Sequence, residues 1–213
     1  MDSSTIFLVD DDREFLEGMS ARLRSFGFRV EAYPKANFFL DRFDPDRPGI
    51  LLLDLRPSRS AGLEVLDILR EMGSEYRVLF LTIHPEIDRA AQAVETLRNF
   101  LLCPLSDEEL AARLQDAVIE DRRVREERAE TEDVLRTIRS LTRREREVLD
   151  FALRGWTNRT IGRTLGIKEK TVETHRGKVI KKLAVKNCVE LTSKVLLAGY
   201  RPSSTDGSPP KRR

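Results

Sequence analysis

The sequence of 213 residues is poor in the residues that would indicate disulfide, metal-thiolate or membrane chemistry. Two cysteines, Cys103 and Cys188, are too few for a disulfide framework or a zinc cluster, which favours a reducing compartment. No apolar run approaches the ~20 residues that a membrane-spanning helix needs, and the first residues lack the pattern of a signal peptide. We therefore expect a cytoplasmic protein that has no membrane partner.

A net charge of +2 conceals an uneven distribution of charge along the chain. Residues 1–118 contain 14 Lys and Arg against 22 Asp and Glu, a net charge of −8, whereas residues 141–183 contain 12 against 5, a net charge of +7. A basic segment attracts phosphate groups and an acidic segment repels them. The halves are therefore expected to be domains with different partners, although a charge run alone can be a solvated face.

Strand-like and helix-like patterns alternate through the acidic half. Apolar runs occur at 6–9, 28–32, 50–53, 78–81 and 100–102, and helical patterns lie near 15–26, 38–43, 63–72, 87–97 and from 107 onward. Continuous apolar runs separated by helices are typical of a parallel sheet covered on both faces. We predict a doubly wound α/β domain with five parallel strands over residues 1–118.

The helix that begins near Asp107 has no clear stop before Ser140, and we assign residues 119–140 to a helical linker. Its apolar residues follow steps of four and three, but charged residues interrupt the repeat. Two interpretations remain open: a solvated linker helix, or a dimer seam that couples the two halves. Residues 200–213 are rich in Pro, Ser and Gly and are predicted to be a disordered tail.

Carboxylates follow two strands of the predicted sheet. Asp10, Asp11 and Asp12 come after the first strand, and Asp54 comes after the third. The carboxyl ends of parallel strands form one edge, where ligands bind in open α/β sheets. Carboxylates that converge there repel each other unless a cation lies between them, and oxygen ligands favour Mg²⁺. Beside Mg²⁺, Asp54 could act as a nucleophile toward a phosphoryl group, whereas Asp12 is expected to cap the following helix.

Residues 4–118 resemble the receiver domain of bacterial two-component response regulators. The resemblance implies that Asp10 and Asp11 form the acidic pair and that a sensor histidine kinase phosphorylates Asp54. It further implies that the backbone carbonyl of Arg56 binds Mg²⁺ and that Thr82 and Phe100 are switch residues.

Cys103 stands where the family has a lysine, which removes a charge-assisted bond to the phosphoryl group. The alternative is therefore a phosphorylation-independent regulator with a pseudo-receiver. A redox role for Cys103 is disfavoured relative to hydrophobic packing, because nearby carboxylates raise a thiol's pKa. An aspartyl phosphatase is disfavoured too, because no second acid–base carboxylate is evident, and we expect no enzyme activity.

The basic half reads as four short helices over residues 141–199. Thr142 and Glu145 form a predicted capping box, Thr157 caps the second helix, and Gly166 makes a tight turn before the third helix. Two helices joined by such a turn constitute a helix-turn-helix. The third helix, near 169–183, has one apolar side and one cationic and polar side, which suits the major groove of DNA.

The motif Leu-Thr-x-Arg-Glu-x-Glu-Val-Leu from Leu141, with Asn158 and the run Thr171 to Arg176, is similar to the LuxR-type effector of NarL/FixJ response regulators. The resemblance implies phosphate contacts by Lys170 and Thr171, and base contacts by Glu173 and Thr174. The remaining predicted contacts, to the DNA backbone, are those of His175, Arg176, Lys178 and Lys181. For His175, a histidine packed against its own domain is an equally good interpretation.

The family resemblance also implies an effector dimer that pairs through the last helix, near 189–197, on a pseudo-palindromic promoter site. A fourth helix that merely closes the core is compatible with the same pattern. Gly162 and Gly177 are expected to weaken their helices, and Gly177 either permits close approach to DNA or is simply tolerated. The leading hypothesis is a DNA-binding response regulator controlled by phosphorylation of Asp54.

Overall fold

The computed structural model describes residues 4–54, 61–72, 74, 76–82 and 100–202, with the backbone alone at 61–64, 82, 100 and 102. The chain divides into two compact units, Met1–Val124 and Arg125–Arg213. The expected helix at 87–97, the role of Arg56 and the tail beyond residue 202 lie outside the described residues. Within the described part of the chain, no helix is both long and apolar enough to cross a bilayer.

The first unit contains a five-stranded, fully parallel sheet. Its strands are β1 (Thr5–Val9), β2 (Arg29–Tyr33), β3 (Gly49–Asp54), β4 (Val78–Thr82) and β5 (Phe100–Leu102). The order across the sheet is β2-β1-β3-β4-β5, and the described connecting helices are α1 (Arg13–Ser25), α2 (Ala36–Leu40) and α3 (Ala61–Glu71). The predicted α/β fold with a parallel sheet is confirmed.

Both faces of the sheet are covered by apolar side chains, which explains the continuous apolar runs of the strands. Alternate strand residues enter two clusters: Phe7, Val9, Leu51 and Leu53 pack with α2 and α3, whereas Ile6, Leu8, Ile50 and Leu52 pack with α1 and with Leu110 and Leu114. The strands are therefore held from both sides, and their carboxyl ends are fixed relative to one another.

A helix of 33 residues, α4 (Asp107–Arg139), spans the predicted linker. Near its start, Leu110, Leu114 and Ala117 are buried in the core of the first unit. Near its end, Val134 and Ile138 are buried in the core of the second unit. The apolar repeat of α4 therefore reflects packing within the chain, since Leu110, Leu114, Ala117 and Ile138, which belong to the repeat proposed for a dimer seam, are already buried. The solvated-linker interpretation fits the charged middle of the helix better.

The second unit adds four short helices, α5 (Arg143–Leu153), α6 (Asn158–Leu165), α7 (Glu169–Lys182) and α8 (Cys188–Leu197). The predicted capping box is present at α5, and the Thr157 side chain caps α6. Gly166 ends α6 with a φ of 67°, in the left-handed region that favours glycine. Local sequence signals therefore fix the starts of α5 and α6 and the end of α6, where the turn toward α7 begins.

The two apolar clusters of this unit hold α7 from behind. Val172 packs with Val148, Phe151, Trp156 and Ile161, while Val179 and Leu183 pack with residues of α4, α5 and α8. The ring centroids of Phe151 and Trp156 lie 4.6 Å apart in a stacked arrangement. The predicted helical effector with a helix-turn-helix is confirmed.

Candidate functional sites

The sheet register places Asp10 and Asp54 beside each other at the carboxyl edge. Val9 pairs with Leu53, so Asp10 and Asp54 occupy the next position on adjacent strands, which lie ~4.8 Å apart. Asp10 is 2% exposed and Asp54 is 4% exposed, whereas Asp11 is exposed. The fold therefore brings together two of the three predicted carboxylates as a buried pair and leaves the third at the surface.

Asp12 has a different task from its neighbours, as the sequence predicted. Its side chain accepts a hydrogen bond of 3.0 Å from the backbone N–H of Phe15 and caps α1. Its own backbone N–H donates to Oδ1 of Asp10 at 2.7 Å. The start of α1 therefore holds one carboxylate oxygen of the buried pair in place.

The remaining predicted receiver residues lie on β4 and β5 or just after β5. Thr82, the last residue of β4, pairs with Leu102, and Phe100 pairs with Phe80; only the backbone of Thr82 and Phe100 is described. Cys103 is half-buried and packs against the apolar cluster between the sheet and α1 and α4. This packing agrees with the interpretation of Cys103 as a hydrophobic packing residue. Its thiol supplies no positive charge near Asp10 and Asp54.

The donor set at this edge is compatible with Mg²⁺. In proteins this ion is commonly held by one or two carboxylates and keeps several waters. Among the described residues, no group of three His, Cys, Asp or Glu side chains could hold a metal ion. The buried pair of Asp10 and Asp54 offers two carboxylates, the number that this ion commonly uses.

In the second unit, α7 presents the polar face that the sequence predicted. Val172 and Val179 are 0% and 1% exposed, on the side that faces the core. The opposite side carries seven exposed residues: Lys170, Thr171, Glu173, Thr174, Gly177, Lys178 and Lys181. Their spacing of three and four residues makes one continuous surface, which we call the α7 stripe.

His175 and Arg176 do not belong to the α7 stripe. Both are half-buried, and Nη1 of Arg176 donates a hydrogen bond of 2.6 Å to Oδ1 of Asn158, the first residue of α6. This contact joins the two helices of the helix-turn-helix directly. The geometry gives Arg176 a role in holding α6 against α7, which the sequence pattern alone did not indicate.

A second contact missed by sequence reasoning connects α5 to the end of α7. Nζ of Lys182 lies 2.6 Å from Oε2 of Glu145, whose side chain is only 4% exposed. The same carboxylate accepts the backbone N–H of Thr142 at 2.9 Å and completes the capping box. The hydrogen bond from Lys182, followed by the smaller contribution of Thr142, holds the pKa of Glu145 below its ordinary value although burial opposes this.

Gly162 has a packing role that the sequence pattern did not indicate. It is buried in α6, and a Cβ at this position would lie 2.8 Å from the backbone oxygen of Ile167. Its own carbonyl accepts the backbone N–H of Ile167 at 2.9 Å. Glycine is therefore favoured at this position because the backbone of Ile167, just after the turn at Gly166, lies too close for a side chain. The lower helix propensity of glycine accompanies this close approach.

Two family models match the sequence. The response regulator receiver domain matches residues 6–115, and the luxR family of bacterial regulatory proteins matches residues 139–195. The response regulator protein TodT of Pseudomonas putida is 32% identical over 190 residues, which are 89% of this chain and 84% of TodT. The transcriptional regulatory protein FixJ of Azorhizobium caulinodans is 30% identical over 209 residues, 98% of this chain and 99% of FixJ.

A solved structure of the response regulator StyR is similar with a TM-score of 0.74 and 31% sequence identity, covering 91% of this chain and 98% of StyR. With the matches above, this shows a receiver domain followed by a LuxR-type DNA-binding domain. The chain belongs to the NarL/FixJ-type response regulators of two-component systems.

Proposed function

We propose that this protein is a transcription regulator whose receiver is phosphorylated on Asp54 by a sensor histidine kinase. The observation that carries the proposal is the buried pair formed by Asp10 and Asp54 at the carboxyl edge of the sheet. Asp10 and Asp54 would hold Mg²⁺ directly, and the family resemblance adds Asp11 and the backbone carbonyl of Arg56; when bound, the ion neutralises charge on the phosphoryl oxygens. Thr82 and Phe100 would be the switch residues.

The chemical step needs only one nucleophile from this chain. A carboxylate oxygen of Asp54 attacks the phosphorus of a phosphohistidine, an O–P bond forms, and the N–P bond to the histidine breaks. The acyl phosphate adds negative charge at the end of β3, and the neighbouring Asp10 makes that charge unfavourable unless a cation is present.

Intact mass after incubation with acetyl phosphate and Mg²⁺ tests this step. The wild type should gain one phosphoryl adduct that is absent from Asp54→Asn. Asp41→Asn changes an exposed carboxylate after α2 and should keep the adduct. Absence of any adduct from the wild type, with acetyl phosphate or with a histidine kinase, would contradict phosphorylation.

Cys103 favours a second candidate, a regulator that does not depend on phosphorylation. Its thiol packs into an apolar cluster and cannot replace the charge of the family's lysine. In that case the DNA affinity and oligomeric state would be the same with and without beryllofluoride. A change in either on addition of beryllofluoride would favour the phosphorylation-controlled regulator.

The second part of the proposal is that α7 lies in the major groove of double-stranded DNA. The exposed α7 stripe supports it: Lys170, Thr171, Lys178 and Lys181 would contact phosphates, while Glu173 and Thr174 would face base edges. His175 lies at the margin of the stripe, and Arg176 acts through Asn158.

The third part of the proposal is a homodimer that reads a pseudo-palindromic site. The last helix, α8, leaves Val189 80% exposed, Leu196 39% exposed and Leu197 83% exposed. These residues share one side of the helix and form an apolar surface that a second copy of the chain could cover. Leu197→Ser should weaken self-association and binding to a two-fold duplex, measured by sedimentation and by a DNA titration.

Met72→Ser is the matched control for that experiment. Met72 is 59% exposed at the end of α3, so the substitution removes a similar apolar side chain from the first unit. It should leave both self-association and DNA binding unchanged. Equal behaviour of Leu197→Ser and the wild type would remove α8 from the dimer interface.

A further inference from the structure

Gly177 interrupts the α7 stripe with a residue that the fold of the second unit does not require. It is the ninth residue of a 14-residue helix and has no positive φ. A Cβ built at this position meets no atom of the chain within 4 Å. Glycine lowers helix stability more than any residue except proline, so the fold alone would favour a side chain here.

The other helical glycine of this unit behaves differently. A Cβ at Gly162 would lie 2.8 Å from the backbone oxygen of Ile167, so packing within the chain accounts for that glycine. No such contact accounts for Gly177. An exposed helical glycine without contacts, such as Gly18 in α1, needs no function, so a function for Gly177 depends on its place on α7.

The position of Gly177 indicates what lies against it. It follows Glu173 by four residues and Thr174 by three, and it precedes Lys181 by four, so all four residues share one side of α7. Glu173 and Thr174 are the candidates for base contacts, and Lys181 is a candidate for a phosphate contact. Gly177 is therefore placed in the middle of the surface proposed to enter the groove.

We infer that Gly177 is a position of close approach, at which base-pair edges in the major groove lie against the backbone of α7. This inference rests on the proposed DNA contact by α7 and assigns Gly177 as a specificity-determining residue. A side chain at this position would separate α7 from the base edges. The phosphate contacts proposed for the long, flexible lysine side chains of the α7 stripe would remain.

The test compares full-length wild type with Gly177→Ala on two probes. One probe is a set of duplexes that the wild type enriches from a randomised DNA pool, and the other is the unselected pool. Gly177→Ala should bind the enriched duplexes about tenfold more weakly, the loss expected from one mismatched base pair. It should bind the unselected pool as the wild type does.

The same variant also provides a control for folding. Alanine should stabilise α7, so weaker DNA binding by Gly177→Ala could not be due to unfolding. The unfolding midpoint reported by fluorescence of Trp156, the only tryptophan, should rise by roughly 4–8 °C. Gly18→Ala changes an exposed glycine of α1 that is equally free of contacts. It should leave the affinity for the enriched duplexes and the affinity for the unselected pool unchanged.

Three results would overturn the inference. Unchanged binding of the enriched duplexes by Gly177→Ala, or an equal loss on both probes, would overturn it alone. A wild type that shows no salt-sensitive binding to any duplex would overturn the proposed DNA contact and this inference together.

Discussion

Lys182 at the end of α7 forms an ion pair with Glu145 in the first turn of α5, with 2.6 Å between Nζ and Oε2. The carboxylate of Glu145 is almost fully buried. This carboxylate also completes the capping box of α5. The side chain of Glu145 therefore stabilises the start of α5 and binds the last turn of α7. The pair therefore connects the stability of α5 to the position of α7.

We expect the two partners to be energetically coupled. Glu145→Gln and Lys182→Met should each lower the free energy of unfolding by about 1–2 kcal/mol, because each leaves a polar group imperfectly paired. The double variant should lose about 1 kcal/mol less free energy of unfolding than the sum of the losses of the two single variants. Urea unfolding followed by Trp156 fluorescence measures all four proteins, and fully additive losses would show that the pair is not coupled.

The stability of the second unit should fall in acid. The pKa of Glu145 is lowered by folding, so its contribution is present above the ordinary value of 4.5 and is lost as the pH falls through the lowered pKa. The urea midpoint of the wild type should therefore decrease below about pH 4.5 more steeply than that of Glu145→Gln. Glu173→Gln, which removes an exposed carboxylate of α7, should retain the wild-type profile.

Alkaline pH should destabilise the same unit through Tyr200. Its hydroxyl donates a hydrogen bond of 2.8 Å to buried Asp150, and burial followed by this bond raises the pKa of Tyr200 to about 12. The contribution is complete below pH 10 and is lost between pH 10 and about 12. Tyr200→Phe should lose about 1–2 kcal/mol at pH 7 and should show a flatter profile above pH 10 in the same fluorescence assay.

The two helical glycines of the effector should respond oppositely to alanine. Gly162→Ala should destabilise the second unit by about 1–3 kcal/mol, because the new Cβ overlaps the Ile167 carbonyl and the turn must shift. Gly177→Ala should stabilise it by about 1 kcal/mol. Thermal unfolding of both variants checks this, and a stabilised Gly162→Ala would show that the turn adjusts at little cost.

Two residues of the α7 stripe should affect DNA binding in different ways. Lys178→Ala should weaken binding to every duplex and lower the salt slope by about 1, because it removes one phosphate contact. Glu173→Ala should change the preferred sequence, with discrimination altered by about 1–3 kcal/mol at one base pair. Binding-site selection and salt titrations separate the two effects; an unchanged selected motif for Glu173→Ala would remove it from base reading.

The sequence alone predicted the features that arise from short-range patterns. Continuous apolar runs identified the buried strands, Thr142 and Glu145 identified the start of α5, and Gly166 identified the turn before α7. The helix cap and the turn were predicted correctly because each depends on residues only a few positions apart. The strands were predicted correctly because a strand covered on both faces is apolar at nearly every position.

Only the tertiary structure showed the contacts between distant parts of the chain. Arg176 is 18 residues from Asn158, and Lys182 is 37 residues from Glu145, so no local pattern specifies either pair. Only the structure showed that apolar residues of α4 are buried in the cores of the two units. It also showed that a side chain at Gly162 would overlap the backbone of the following turn. Local propensity fixes where helices and strands form, but which side chains meet follows from how those elements bury their apolar faces together.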